Sequence, residues 1–293
     1  MPTVLIIALV LAAVLYLGGW RHLHSVHPHA IPASRAASFL VGLACLWLAL
    51  ASPLANYDDS LLTVHMLQHL LLMTIAPALL LLAAPMMPLL HGIPGPIMRN
   101  AVSPILRWPP LQRTGHALTQ PPVALLAASA AIIVWHIPFI FNAALRSEPI
   151  HILEHATFFT AGLIFWWPVI NPWPSTTPWP RWSLILYLAL ATLPCDILSG
   201  FLVFSERLVY PIYLTNSSLA TVNVANSSLA SPTLTLRPFL ISPYSDQQLA
   251  GALMWTAITI LYLVPAAILT IKLLAPRHLS TTTHIPSSHT ASQ

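Results

Sequence analysis

The side chains of this sequence with chemical potential are imidazoles and carboxylates set inside apolar stretches. His65 and His69 lie four residues apart and so share one helical face. His136 stands near the end of a second apolar run, and His151, Glu154 and His155 open a third with spacings that also share a face. A fourth run carries Asp196 beside Cys195, and Asp246 and Gln247 stand at the head of a fifth, with Met254 further along. Histidine and carboxylate side chains on facing helices are how bundles build metal sites. Neutral imidazole suits copper, zinc and iron, and thioether sulfur favours reduced copper. Met66, Met73 and Met254 offer that sulfur, although methionine in an apolar helix is more often packing. His-x-x-Glu-His at 151–155 is also the inverted zinc-peptidase pattern, which keeps a membrane zinc metallopeptidase open as an alternative. Paired histidines on facing helices leave a bis-histidine haem protein open as well.

Composition decides what kind of element carries these groups. Of 293 residues, 57% are apolar and 6% charged, against about 25% charged in soluble domains. So few charges cannot cover a water-exposed surface, which excludes a soluble enzyme, a disordered chain and a secreted disulfide scaffold. The net charge of +4 gives no reason to expect nucleic acid. The two cysteines, Cys45 and Cys195, lie in apolar runs and form no ligand pair. An all-α, polytopic transmembrane bundle is expected, its natural partner the lipid bilayer.

A span needs roughly 20 mostly apolar residues. Seven stretches qualify, at about 2–20, 37–52, 60–83, 121–141, 150–170, 182–204 and 248–274, within a single domain over 1–279. The first lacks a basic lead and a cleavage pattern, and reads as a retained helix. Loops 21–36, 84–120 and 171–181 with the C-terminal tail hold eight Lys and Arg, and the opposite side three. The positive-inside rule then puts the N-terminus outside and the C-terminus in the cytoplasm. Prolines gather at 85–122 and 168–180, which suggests stiff, non-helical connections. Residues 214–236, rich in Ser and Asn, read as a flexible insertion, and 280–293 as a disordered tail. His22, His24, His27 and His29 suit either weak cytoplasmic metal binding or a polar turn.

Mapped by depth, His65 and His69 fall roughly 7 and 13 Å below the outer end of their span at 1.5 Å per residue. His136, His151, Glu154, His155 and Asp196 also map to the outer half, although their spans alternate in direction. One such histidine alone is as readily a hydrogen-bonded packing residue as a ligand. The group together points to a buried polar site open to the extracytoplasmic side, with Pro138 placed to kink the span that carries His136.

Four stretches carry a family resemblance: His-Met-Leu-Gln-His-Leu-Leu-Leu at 65–72, Trp135-His136-Ile137-Pro138 with Asn142-Ala143-Ala144-Leu145, His151-Ile152-Leu153-Glu154-His155 leading to Phe165-Trp166-Trp167-Pro168, and Asp246-Gln247-Gln248-Leu249-Ala250-Gly251 running into Met254-Trp255. With Tyr210-Pro211-Ile212-Tyr213 they resemble the CtaG-type cytochrome c oxidase assembly factors of bacteria. The resemblance implies a seven-span protein of the bacterial inner membrane that assists maturation of cytochrome c oxidase through copper, and transient copper binding rather than turnover is the mechanism expected of the residues. It implies oxidase subunits or another copper chaperone as partners. The metal ligands expected are a subset of His65, His69, His136, His151 and His155. Glu154, Asp196, Asp246 and Gln247 are expected to orient those imidazoles from a surrounding shell.

Overall fold

The computed structural model describes residues 2–26, 28–29, 31–172, 179–214 and 241–275. Every regular element among them is helical. Long helices are α1 (Pro2–Val26), α2 (Ala33–Leu50), α3 (Leu62–Leu82), α8 (Glu148–Ile170), α9 (Arg181–Phe204) and α10 (Pro243–Leu274). Shorter ones are α4 (Met86–Gly92), α5 (Pro109–Leu118), α6 (Pro121–Trp135) and α7 (Pro138–Arg146). The expected insertion from residue 215 and the tail from 280 lie outside the described residues, as does His27.

Five helices are long and apolar enough to cross a membrane: α1, α2 (continuing to Tyr57), α3, α9 and α10. A sixth span arises if α5 and α6, bent by 74° at their junction, count as one. Helix α8 has the length, 23 residues, or about 34 Å, but is not among the five. Glu154 and His155, which belong to the polar cluster, lower its hydropathy. Exposed Val4, Ile7, Val10 and Leu11 on α1, and Ile260, Leu263 and Val264 on α10, are apolar side chains facing outward. That is the surface of a multi-pass membrane protein, in which lipid replaces water as solvent.

At the centre stands α3, with 72% of its apolar window buried, against 11–33% for the other four. It packs against α2, α8 and α10, while α9 lies along α10 and α6 along α8. A π-helical turn at Leu71–Ile75 interrupts α3 just after His69. The extra residue in such a turn rotates the C-terminal half of the helix relative to the N-terminal half, and the Thr74 hydroxyl bonds back to the Leu70 carbonyl. At this turn α8 packs tightly on α3: a Cβ on Gly162 would collide with the Met73 carbonyl and the Pro77 ring. Only glycine allows that approach, and it sets the height at which α8 presents Glu154 and His155 to α3.

Two local expectations need correction. Residues 85–122, expected as non-helical, hold α4, α5 and further short helical segments. Their prolines sit at first-turn positions, as in α5 and α6, where no N–H is required and the fixed φ suits a helix start. The span expected at 121–141 is two helices: α6 stops at Trp135 and α7 begins at Pro138. Ile137, restrained by the adjacent proline, is extended (φ −63°, ψ 123°), so the chain breaks where a kink was expected.

Candidate metal centre

Helix α3 projects His65, His69 and Gln68 inward, and α8 projects Glu154 at the same level; all four are buried. The start of α3 is fixed from outside the helix. The Asp246 carboxylate on α10 accepts the Leu62 N–H at 2.7 Å, the Thr63 N–H at 3.1 Å and the Thr63 hydroxyl at 2.6 Å. An anion over unpaired N–H groups at a helix N-terminus is stabilising, and here it holds the turn that carries His65. Gln68 donates to the Ala49 carbonyl at 3.0 Å and ties α3 to α2.

The five expected imidazoles come together. The His65 and His69 ring centroids are 4.3 Å apart. His151 stacks on His65 at 5.5 Å, and His155 and His136 lie 5.9 and 6.0 Å from His69. Glu154 sits among them: its Oε1 is 3.5 Å from His69 Nε2 and 3.7 Å from His65 Nε2, and its Oε2 is 3.9 Å from His151 Nε2. These separations exceed the roughly 2.7–3.2 Å of a hydrogen bond. They match the edge of a coordination polyhedron, since two atoms each about 2.1 Å from a tetrahedral metal lie about 3.4 Å apart. Ligand atoms of His65, His69 and Glu154 all fall within 4.8 Å of one another.

Hydrogen bonding points the same way. Both ring nitrogens of His65 and of His69, both Glu154 oxygens, and Nε2 of His151 and His155 are buried and without hydrogen-bond partners among the described residues. Buried polar groups left in that state are costly, and a cation would satisfy several at once. The donor set, imidazole nitrogen plus one carboxylate, fits copper or zinc. Phe141 stands edge-on to His65 at 4.9 Å, and Phe158 lies 4.2 Å from His69. They close the sides of the cluster to solvent.

His151 marks the mouth, with its side chain 20% exposed and Asp58 Oδ2 3.7 Å from its Nε2. Asp58, His65 and His151 form a second close group of ligand atoms. Asp58 belongs to the chain just before α3 and is missed by sequence reasoning because it lies outside any apolar run. The pair Asp58-Asp59, a few residues ahead of the histidine helix, is the available signal. Tyr210 and Tyr213, which entered only through the family resemblance, brace the site: Tyr210 donates to the His136 carbonyl at 2.9 Å and Tyr213 to the Asp58 carbonyl at 3.0 Å. Burial pushes both phenols above their ordinary value, which keeps the donating hydrogens in place.

Of the four residues expected around the ligands, only Glu154 touches the imidazoles, and it does so at ligand distance. Asp246 caps α3. Gln247 accepts the Val209 N–H at 2.7 Å and donates to the Leu202 and Arg207 carbonyls, each at 3.2 Å, so it fixes the end of α9. No ion pair joins Asp196 to an imidazole among the described residues, and its Oδ1 is buried without a partner. Outside the cluster, His91 and His116 are exposed. His24, in the last turn of α1, bonds the Ile31 carbonyl at 2.7 Å and stacks on Trp20.

Set beside known proteins, residues 14–275 match the model of one family, described as cytochrome c oxidase caa3 assembly factor (Caa3_CtaG). No curated protein and no solved structure matches.

Proposed function

The chain belongs to the cytochrome c oxidase caa3 assembly factor family, and from that premise we propose that it handles copper as cargo for oxidase maturation, holding the ion between α3 and α8. The observation that carries this reading is the set of unpartnered His65, His69 and Glu154 atoms spaced at 3.5–3.7 Å. Imidazole is a ligand that suits copper, and copper is an ion that a haem–copper oxidase must receive.

Each part of the site has a task in that reading. Asp58 and His151, partly exposed, meet the ion at the mouth. His65, His69 and Glu154 hold it, with one negative charge to offset the cation. His155 and His136 lie within reach of His69 as further donors, so the ion can move by exchange of one ligand at a time. Phe141 and Phe158 exclude water that would compete for the ion.

We further propose seven spans, with the N-terminus outside and the C-terminus in the cytoplasm of a bacterial inner membrane. The length of α8 and the Lys/Arg bias between loops support this arrangement. The mouth then opens on the extracytoplasmic side, toward oxidase subunits or a copper chaperone as partners.

The alternatives fit the geometry less well. A zinc peptidase of the 151–155 pattern needs Glu154 free to activate water beside His151 and His155. Here Glu154 is fully buried and nearer the α3 histidines. A haem needs a slot for its macrocycle, but the rings of His65, His69 and His151 stand against one another. The test is a metal count on anaerobically purified protein. Wild type is expected to retain copper and His65→Ala/His69→Ala to lose it. Equal copper in both overturns the ligand assignment.

A further inference from the structure

Inward from His69 the cluster borders a cavity of about 30 Å³ whose lining includes four sulfur-bearing side chains, Met66, Met73, Cys195 and Met254, together with His69 and His136. They come from α3, α9 and α10, and all four sulfur residues are buried. Three methionines alone would be ordinary packing. The orientation of His136 is what distinguishes this cavity.

His136 Nδ1 lies 2.7 Å from the Ile132 carbonyl oxygen. A carbonyl only accepts, so in the neutral ring Nδ1 carries the hydrogen and Nε2 the lone pair. That Nε2 faces Met66 Sδ at 3.3 Å. A thioether has no hydrogen to donate, so two electron-pair donors meet at the cavity wall with no proton between them. Such a contact is unfavourable unless a cation lies close to both. The Tyr210 hydroxyl, bonded to the His136 carbonyl at 2.9 Å, holds the residue in this pose.

We infer that this cavity is a second metal site, specific for a soft monovalent cation, Cu(I), bound by His136 Nε2 and Met66 Sδ with Met73, Met254 and Cys195 as the surrounding sulfur donors. Thioether sulfur favours Cu(I) over zinc and other harder divalent ions. His69 lines the cavity and also belongs to the His65–Glu154 group, so the two sites share a wall. No change of oxidation state is involved: Cu(I) at the outer group reaches the inner one by exchanging nitrogen and oxygen donors for sulfur. The choice of ion rests on the proposed copper function; the sulfur site itself stands on its own geometry.

Ag(I), a redox-inert analogue of Cu(I), is the probe. It is titrated into the full-length protein in detergent, in chloride-free buffer. The Met66→Leu/Met73→Leu/Met254→Leu variant keeps core volume, since Leu and Met exchange with little cost, and is expected to bind Ag(I) at least roughly tenfold more weakly. His65→Ala/Glu154→Gln, which leaves the cavity lining intact, is expected to retain Ag(I). X-ray absorption on silver-loaded wild type needs no variant to fold, and is expected to show sulfur neighbours. A nitrogen- and oxygen-only shell in wild type, or unchanged affinity in a folded methionine variant, overturns the sulfur site. Copper content indifferent to His65→Ala/His69→Ala, with sulfur-bound silver intact, would instead remove the copper reading and leave this site standing.

Discussion

Glu154 is the residue on which the centre turns. It is an acid enclosed by apolar and aromatic side chains, and its oxygens lie 3.5–3.9 Å from three imidazoles. Burying that charge unpaired would be expensive, so its place between His65 and His69 makes sense as a cation ligand. Glu154→Gln keeps the shape and removes the charge, and copper affinity is expected to drop at least roughly tenfold, no less than when a group that merely orients a ligand is lost. Competition against a chelator of known affinity measures it; an unchanged constant would show Glu154 to be packing only. The proposed ligands also set the sign of the pH dependence. Imidazole binds metal only when neutral and carboxylate when ionised, so protons compete with copper and affinity falls as pH falls. The same competition run between about pH 8 and 6 checks this, and affinity rising toward acid would contradict it. These positions were legible in the sequence because an ionisable group in an apolar run is rare. Asp58 was not, since an acid in a connection looks like any solvated residue until the fold brings it to His151.

Helix geometry decides whether the residues meet. Spacing along the chain put His65 with His69 and His151 with Glu154 and His155. It said nothing of how far α8 slides along α3, which Gly162 and the π-helical turn at Leu71–Ile75 determine. Gly162→Leu must push α8 away from the Met73 carbonyl. A destabilisation of about 1–3 kcal/mol is expected, typical of overpacking, along with loss of copper, read by thermal unfolding in detergent and metal count together. Asp246→Ala removes the acceptor for the first N–H groups of α3. About 0.5–2 kcal/mol of stability should go with it, with copper still bound, because Asp246 acts on the backbone and not on the ion. Copper loss without loss of stability would instead return Asp246 to the ligand shell expected from its sequence position. The break at His136 was half legible: Pro138 announced a disturbance. Only the packed structure shows that Ile137 is extended and that His136 ends α6 with its ring turned toward Met66.

At the level of the whole molecule the polar cluster and the membrane impose opposite demands, and α8 shows how they meet. A span wants an apolar surface, whereas Glu154 and His155 want polar company; α8 turns Glu154 to the α3 interface and leaves Ile152 and Leu153 outside. Helix number was therefore less legible than helix type, because the residues that make the centre weaken the hydropathy signal of the helix that carries them. The topology then has a direct consequence. In the proposed seven-span topology, the 205–214 connection beside the centre and the connection ahead of α5 lie on opposite faces of the membrane. Glu206 and Arg107, both exposed, mark the two. In intact cells a membrane-impermeant thiol reagent is expected to label Glu206→Cys, and to label Arg107→Cys only after the membrane is opened; native Cys195 is buried and Cys45 lies within α2. The reverse pattern would turn the mouth at Asp58 and His151 toward the cytoplasm, and copper would then have to enter from that side.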